Sequence, residues 1–245
     1  PFMDLKNKVA LVTGAGVRLG QSIAIKLSNL GMRVIIHYHQ SEKGAKQTAK
    51  LTKVDQKQHF IIQANLKDIS SIKMLIRKSE ENLGPISVLI NNAADFFPTP
   101  FFTTTEDEWD HFFSINLKAP FFLSQNVAKN MKIRGEGKII NLVDVSIDRP
   151  WIKFLPYCSS KAGLSSLTKG LARTLAPEIQ VNAIAPGTVL SPPNHTEMDL
   201  EASIENSLLK RIGSAEDIVN AVEYLLKSDF VTGTILPVDG GRKIF

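Results

Sequence analysis

A tyrosine and a lysine four residues apart carry the clearest chemical signal in the sequence. Tyr157 and Lys161 stand at the end of a stretch that begins as an apolar strand near Ile139. With Pro156 in the first turn of a helix, the two side chains share one helix face. A cation beside a phenol stabilises the phenolate, so the pair can give or take a proton at neutral pH. A half-buried tyrosine beside a solvated lysine has the same spacing, so the surrounding elements must decide.

The first strand, turn and helix of the sequence have the order of a dinucleotide-binding unit. The apolar run at residues 8–13 does not alternate with polar residues, which is typical of a strand buried on both faces. A glycine-rich turn at residues 14–20 follows, and the next helical pattern continues to Gly31, a residue suited to a helix C-terminus. Glycines in such a turn let the backbone approach a pyrophosphate, which the helix N-terminus then holds. This unit therefore predicts a dinucleotide cofactor.

The end of the second predicted strand, residues 33–39, distinguishes between the two nicotinamide dinucleotides. An enzyme that uses NAD usually has an aspartate or glutamate there, which binds the ribose 2′-hydroxyl. Here Glu42 is the one nearby acid, with Lys43 beside it, and the strand end carries hydrogen-bond donors: His37, His39, Gln40 and Ser41. These donors predict a 2′-phosphate and therefore NADP(H), although an ordinary polar loop between strand and helix can have the same composition.

Strands alternate with helices along the rest of the chain. Further strands are predicted at residues 59–63, 86–90, 139–143, 181–185 and 235–238. This alternation predicts an α/β protein, a single-domain Rossmann-type fold at residues 3–245 with a doubly wound parallel sheet. Residues 188–206, rich in proline and polar residues, are predicted to form an irregular substrate-binding loop.

A long helical pattern at residues 109–131 has Asn116 near its centre. Asparagine is a poor helix former, so this residue is either solvated or marks a deliberate distortion of the backbone. A leucine stripe on the helix after Tyr157 predicts core packing or a subunit interface; it comprises Leu164, Leu167, Leu171 and Leu175.

The composition argues against several classes of protein. The 245 residues carry a net charge of +5 without a long basic run, which argues against nucleic-acid binding and is compatible with a phosphorylated small molecule. Cys158 is the single cysteine, so an internal disulfide is excluded and a reducing, cytoplasmic location is expected. No apolar run approaches the roughly 18 residues of a membrane span. We expect no metal site, and we expect His195 in the irregular loop to be solvated.

These pieces together resemble the short-chain dehydrogenase/reductase family over essentially the whole chain. The matching motifs are Thr13-Gly14-x-x-x-Arg18-x-Gly20, Asn91-Asn92-Ala93-Ala94, Asn116, Tyr157-x-x-x-Lys161, Pro186-Gly187 and Asp239-Gly240-Gly241. The resemblance implies that Tyr157 is the proton donor, that Lys161 holds the nicotinamide ribose and lowers the tyrosine pKa, and that Asn116 holds a proton-relaying water. It also implies a set of cofactor-binding residues: Gly14, Arg18, Leu19, Gly20, His37, His39, Gln40, Ser41, Asn65, Leu66, Asn92, Ala93, Tyr157, Lys161, Pro186 and Gly187.

Two departures from the family pattern resemble the pteridine reductases. Asp144 stands thirteen residues before Tyr157, where the family usually has a serine, and Arg18 replaces the third glycine of the fingerprint. Residues 37–41 and 96–100 are also similar, and the C-terminal part especially resembles bacterial dihydromonapterin reductases. The resemblance implies a pterin site formed by Arg18, Asp95, Phe96, Asp144 and Tyr157. Phe96 would be its stacking plate, although an aromatic after a strand also fits a core position.

We therefore predict NADPH-dependent reduction of a dihydropterin to the tetrahydropterin, with dihydrofolate as a further candidate substrate. Asp144 would orient Tyr157 and bind or protonate a ring nitrogen. Asn65 replaces the usual aspartate of the family, and its carbonyl can still accept a hydrogen bond from the adenine. Family resemblance implies a homotetramer, and no nucleic-acid or membrane partner is expected. Two alternatives stay open: a carbonyl reductase for a substrate such as a 3-oxoacyl thioester, and a cofactor-binding sensor that has lost turnover.

Overall fold

The sequence folds around one parallel sheet. A computed structural model of the chain describes residues 3–52, 58–190 and 196–244. The strands within these residues are β1 (Val9–Val12), β2 (Arg33–Tyr38), β3 (His59–Gln63), β4 (Ile86–Asn91), β5 (Gly137–Leu142), β6 (Ile179–Pro186) and β7 (Ile235–Val238). They form a seven-stranded sheet in the order β3-β2-β1-β4-β5-β6-β7, in which every neighbouring pair is parallel. The prediction of a doubly wound parallel sheet is confirmed.

Helices cover both faces of the sheet. They are α1 (Arg18–Asn29), α2 (Glu42–Leu51), α3 (Ile69–Leu83), α4 (Glu106–Phe113), α5 (Ala119–Arg134), α6 (Leu155–Leu175), α7 (Glu197–Glu205) and α8 (Ala215–Lys227). One face packs against α1, α2 and α8, and the other against α3, α5 and α6. In the parts of the chain that are described, none of the helices has the length and apolar character that crossing a membrane requires.

Strand β1 shows why its sequence has no polar alternation. Ala10 and Val12 face the core under α1 and α8, whereas Val9 and Leu11 face the core under α3 and α5. Successive side chains of a strand point to opposite faces, so a strand covered on both sides needs apolar residues at every position. The leucine stripe of α6 likewise packs against the core, with Leu164 fully buried and the other three partly buried.

The chain changes direction across the sheet between β1 and β4. The connections after β1 lead outward through β2 to β3, and those after β4 lead the other way to β7. The carboxyl ends of β1 and β4 therefore lie side by side, with Val12 paired to Ile90. Loops that leave adjacent strand ends in opposite directions open a crevice, which is where open α/β sheets bind ligands.

Asn116 marks a distortion of the backbone, so the second of the two sequence interpretations is confirmed. A π-helical turn (Ser114–Lys118) separates α4 from α5, and Asn116 within it is completely buried. Such single π turns are found frequently at functional sites.

The prediction of irregular structure throughout residues 188–206 is wrong for its second half. Helix α7 begins after Thr196, whose hydroxyl accepts from the backbone N–H of Asp199 while the Asp199 carboxylate accepts from the Thr196 N–H. This capping box was the signal that the sequence analysis overlooked. Residues 191–195, which include His195, lie outside the described residues.

Candidate active site

The glycine turn after β1 is fixed by its own backbone. Gly14 adopts a φ of +63°, and a Cβ on Gly20 would lie 2.1 Å from the Gly14 carbonyl oxygen, so neither position accepts a side chain. Gly44, in the first turn of α2, was not predicted, although a Cβ there would lie 2.2 Å from the Gly16 carbonyl oxygen. The glycine turn and the start of α2 thus approach each other so closely that only glycine fits at position 44. This bare backbone fits the cradle that a pyrophosphate needs.

His37 supports the turn from below. Its ring is buried, Nδ1 accepts from the Gly14 N–H at 3.1 Å, and Nε2 therefore carries the proton that it donates to the Ala64 carbonyl at 3.0 Å. Burial lowers the pKa of His37 to about 4. A second proton would also set an N–H against the Gly14 N–H. Since both nitrogens are used inside the protein, His37 shapes the cleft wall through the turn.

The neutral state of His37 makes stability depend on pH. Its folded pKa of about 4 lies below the ordinary value of 6.5, so the unfolded state binds more protons between these values. Stability should therefore fall as the pH falls, by roughly 2 kcal/mol between about pH 7.5 and about pH 5. We expect urea unfolding of His37→Asn to show a pH dependence smaller by that amount. An unchanged dependence in the variant would show that His37 titrates normally in the folded protein.

The first cleft lies at the carboxyl ends of β1 and β4, where the chain changes direction across the sheet, and has a volume of about 480 Å³. The predicted cofactor residues at the first four strand ends all line it: Gly14, Arg18, Leu19, Gly20, His37, His39, Gln40, Ser41, Asn65, Leu66, Asn92 and Ala93. Asn92 joins the two central strand ends, because its Nδ2 donates to the Thr13 carbonyl at 2.9 Å. The side-chain oxygen Oδ1 of Asn65 accepts from the Lys67 N–H at 3.1 Å, and the second lone pair of this oxygen remains for the predicted adenine contact.

Tyr157, Lys161 and Asp144 meet beside this cleft, as the sequence analysis predicted. The Tyr157 hydroxyl donates to Asp144 Oδ2 at 3.1 Å, and Asp144 Oδ1 accepts from the Ser146 N–H at 2.8 Å. Helix α6 has Pro156 in its first turn and places Tyr157 and Lys161 on its buried side. Lys161 Nζ donates to the Leu142 carbonyl at 2.7 Å. The carboxylate is thus held at one oxygen and presents the other to the phenol.

The protonation of this group differs from the expectation that Lys161 lowers the tyrosine pKa. Burial and then the neighbouring Asp144 carboxylate raise the pKa of Tyr157 well above its usual range. Burial also raises the pKa of Asp144, against the opposing hydrogen bonds from Ser146 and the charge of Lys161. Burial lowers the pKa of Lys161 to about 8. Tyr157 is therefore a neutral phenol at neutral pH, which is the form that donates a proton.

Asn116 connects the loop after β4 to α6. Its Nδ2 donates to Ser160 Oγ at 3.1 Å, and its Oδ1 accepts from the Asp95 N–H at 3.4 Å. Ser160 in turn donates to the Tyr157 carbonyl at 2.7 Å. The side chain therefore fixes the backbone that carries the proton donor, and its predicted role in holding a relay water stays a prediction.

A second cleft of about 310 Å³ opens at Tyr157 and Asp144. Its aromatic wall contains Phe96, which lies parallel to Phe154 with ring centroids 4.6 Å apart and edge-on to Tyr157 at 4.9 Å. Phe96 is 45% exposed, so it is not a core residue. Arg18 lines both clefts and donates from Nη2 to the Leu190 carbonyl at 2.7 Å. Arg18 thus lies where the two clefts join.

Of the two predicted cofactor residues in the C-terminal half, Gly187 lines the second cleft and Pro186 precedes it at the end of β6. Pro186 ends β6, and the Gly187 N–H donates to the Val238 carbonyl at 2.9 Å. A Cβ on Gly187 would lie 2.7 Å from Asp239 Cα, so the glycine permits the close approach of the Asp239-Gly240-Gly241 turn. Gly187 lines the second cleft, which the turn thereby borders.

Asp95 is placed differently from the other predicted substrate residues. It lines the first cleft, where its Oδ2 lies 2.7 Å from His111 Nε2, and Lys67 Nζ lies 2.5 Å from His111 Nδ1. Because the lysine ammonium can only donate, Nδ1 accepts and the Nε2–H donates to Asp95. Lys67 and His111 were not predicted, since they are 44 residues apart and no local pattern joins them.

Arg242 and Trp151 are further residues of the second cleft that sequence reasoning missed. Arg242 Nη1 donates to Thr188 Oγ1, and its guanidinium carbon lies 5.7 Å from the centre of the Trp151 ring.

In the described residues, no three His, Cys, Asp or Glu side chains are grouped so that they could hold a metal ion.

The sheet, the glycine turn and the buried tyrosine define a class of oxidoreductase. The model of the family described as short chain dehydrogenase matches residues 8–201. The chain belongs to the short-chain dehydrogenase family.

Individual relatives cover nearly the whole chain. It is 35% identical over 242 residues to the 3-oxoacyl-[acyl-carrier-protein] reductase FabG of Staphylococcus epidermidis, covering 96% of this chain and 98% of that one. It is 29% identical to a short-chain type dehydrogenase/reductase of Picea abies, covering 97% and 93%. Among solved structures, FolM alternative dihydrofolate reductase 1 from Brucella canis, complexed with NADP, superimposes with a TM-score of 0.92 at 29% identity, covering 99% and 96%.

Proposed function

We propose that the protein reduces a dihydropterin to the tetrahydropterin with NADPH. The observation that carries this proposal is the carboxylate of Asp144, 3.1 Å from the hydroxyl of the buried Tyr157 and in a cleft walled by aromatic rings. A flat heterocycle with several ring nitrogens fits aromatic plates and a carboxylate, which can bind N–H groups. The similar FolM structure supports the pterin class.

The residues of the first cleft fit NADPH. The glycine turn would hold the pyrophosphate, and the start of α2 would hold the 2′-phosphate. Ser41 at this helix start is exposed and makes no capping hydrogen bond of its own, so its hydroxyl is available to a phosphate. The one nearby acid, Glu42, is paired with Lys46 at 2.6 Å. The FolM structure that contains NADP supports the same assignment.

The cofactor assignment predicts the effect of one added charge. Ser41→Asp should reverse or abolish a preference for NADPH over NADH of at least about tenfold, roughly 1.4 kcal/mol, because a carboxylate would face the phosphate. Steady-state kcat/KM for both cofactors measures it. Ser159→Asp, on the exposed surface of α6, is the control for added charge. Equal use of NADPH and NADH by the unmodified protein would contradict the interpretation of residues 37–41.

The reduction saturates one carbon–nitrogen double bond of the pterin and therefore needs a hydride and a proton. NADPH supplies the hydride when bound. Tyr157 holds the proton on its phenol. Asp144 orients that hydroxyl and accepts a hydrogen bond from an N–H group of the heterocycle. Lys161 places a positive charge 5.9 Å from the Tyr157 ring centre, which stabilises the phenolate that remains after proton transfer. Phe96 would stack on the pterin and Arg18 would contact it from the cofactor side.

An NADPH-oxidation screen tests the proposal. We expect turnover with dihydrobiopterin, dihydromonapterin and dihydrofolate and little with 3-oxoacyl thioesters or simple ketones. Turnover of 3-oxoacyl thioesters alone would establish the alternative that the FabG relatives favour, a carbonyl reductase. Absence of turnover with every substrate, together with tight NADPH binding, would establish the sensor alternative instead.

We also propose that the protein works as a homotetramer in the cytoplasm. The support is an apolar surface where α4 meets α5, at which Trp109 stacks on Phe113 with centroids 4.5 Å apart. Trp109 and Phe121 are both more than a third exposed there, and exposed aromatic patches of this kind favour subunit contacts.

A further inference from the structure

Arg242 is a half-buried cation in the second cleft. The C-terminal turn (Arg242–Ile244) brings it there, and its guanidinium lies over Trp151 and donates to Thr188. Tyr157 and Asp144 line the same cleft. A ring positioned at Tyr157 would therefore extend its substituent toward Trp151 and Arg242.

The hydrogen-bonding capacity of Arg242 is largely unused. A guanidinium has five N–H donors, and Thr188 accepts from one nitrogen. Among the described residues, no carboxylate oxygen lies within 4.0 Å of its nitrogens. Burial lowers the pKa of Arg242 and the charge of Arg149 lowers it further, while the charges of Asp144 and Asp239 act against this without contacting the guanidinium. An anion would relieve this unfavourable burial.

Two further basic residues lie near Arg242. A neighbouring cavity of about 330 Å³ shares Trp151 and Arg242 with the substrate cleft and is also lined by Arg149 and Lys243. The ion pair of Lys243 with Asp148, at 2.8 Å, fastens the C-terminal turn beside Asp144. A planar guanidinium held over an aromatic ring keeps its edge open to a carboxylate, which it binds with two parallel hydrogen bonds.

We infer that Arg242 and Trp151 form a subsite for a carboxylate that the substrate carries beyond the ring that is reduced. The substrate class is then a dihydropterin with an acidic tail, as in dihydrofolate, in preference to one with a neutral side chain. This inference rests on the proposed function. It assigns Arg242 to substrate recognition, since no step of the proton transfer uses it.

The test compares two substrates in Arg242→Gln. We expect the KM for dihydrofolate to rise at least about tenfold, roughly 1.4 kcal/mol, with kcat nearly unchanged. The KM for dihydrobiopterin, which has a neutral side chain, should change less than about threefold, roughly 0.6 kcal/mol. Arg242→Lys keeps the positive charge but loses the two parallel N–H donors, so its KM for dihydrofolate should lie between those of the unmodified protein and Arg242→Gln. Lys153→Gln removes an exposed charge from the segment that carries Trp151 and should change neither KM.

Equal changes for both substrates, or none for dihydrofolate, would overturn the subsite. An equal rise would show that the contact between Arg242 and Thr188 only shapes the cleft. Binding of p-aminobenzoylglutamate, followed by tryptophan fluorescence, separates this inference from the proposed function. Binding that Arg242→Gln abolishes would support the subsite even if no dihydropterin were turned over, and absence of binding to the unmodified protein would refute the subsite alone.

Discussion

Tyr157→Phe should lower kcat for the natural reaction by about 10² to 10⁴, because general acid catalysis of that size is lost with the phenolic proton. The aromatic ring remains, so its contacts with Phe96 and Trp151 are kept. The hydroxyl donates to Asp144 in the folded protein, and its removal leaves that carboxylate next to Lys161. We therefore expect a folded protein that binds NADPH and turns over slowly.

Single-turnover measurements of NADPH oxidation give the size of this effect directly. Tyr224→Phe is the matched control, since it removes a phenolic hydroxyl from the exposed side of α8. Its kcat should equal that of the unmodified protein. If Tyr157→Phe kept most of its activity, another group would have to donate the proton, and the family mechanism would not apply.

Asp144→Ser should abolish most dihydropterin turnover, with a loss of about 10² in kcat/KM. A serine can still form a hydrogen bond with the Tyr157 hydroxyl. It is also a good N-cap, so it can replace Asp144 at the start of the short helical turn Val145–Ile147, where Asp144 accepts from the Ser146 N–H. It cannot supply the carboxylate that meets the heterocycle.

Asp144→Asn separates charge from shape in the same experiment. It keeps an acceptor for Tyr157 and removes the negative charge. If the charge or the acidic proton of the Asp144 carboxyl group matters, its kcat/KM should be as low as that of the serine variant. Both variants are assayed with dihydrobiopterin and with a 3-oxoacyl thioester. Full dihydropterin turnover by Asp144→Ser would refute the role of Asp144, and a gain of thioester activity would favour the carbonyl-reductase alternative.

The sequence was sufficient for the sheet and for the residues at the strand ends. In a parallel sheet the carboxyl ends of the strands meet at one edge, so residues that follow predicted strands are brought together by the fold itself. Gly14, Ser41, Asn65 and Asn92 follow β1, β2, β3 and β4, and all four line the first cleft. Tyr157 and Lys161 were predictable because a single helix sets their spacing.

Residues that meet through tertiary packing were not predictable. Arg242 reaches the second cleft because the C-terminal turn folds back beside the turn after β5, and nothing local to residue 242 indicates this. The contact of Lys67 with His111 depends in the same way on loops after different strands. The pKa of Tyr157 also required the structure, since burial decides its direction and burial is a property of the whole fold.

The π turn at Ser114–Lys118 has a consequence for how the chain tolerates insertions and deletions. Removing one residue there would restore regular helical geometry, but it would rotate everything on one side of the deletion by about 100° relative to the other. Phe112 before the turn and Leu123 after it are both buried, so a rotation of that size between the two sides would move at least one of them out of its place in the core. The length of this segment is therefore fixed even where the identities of its exposed residues are free to change.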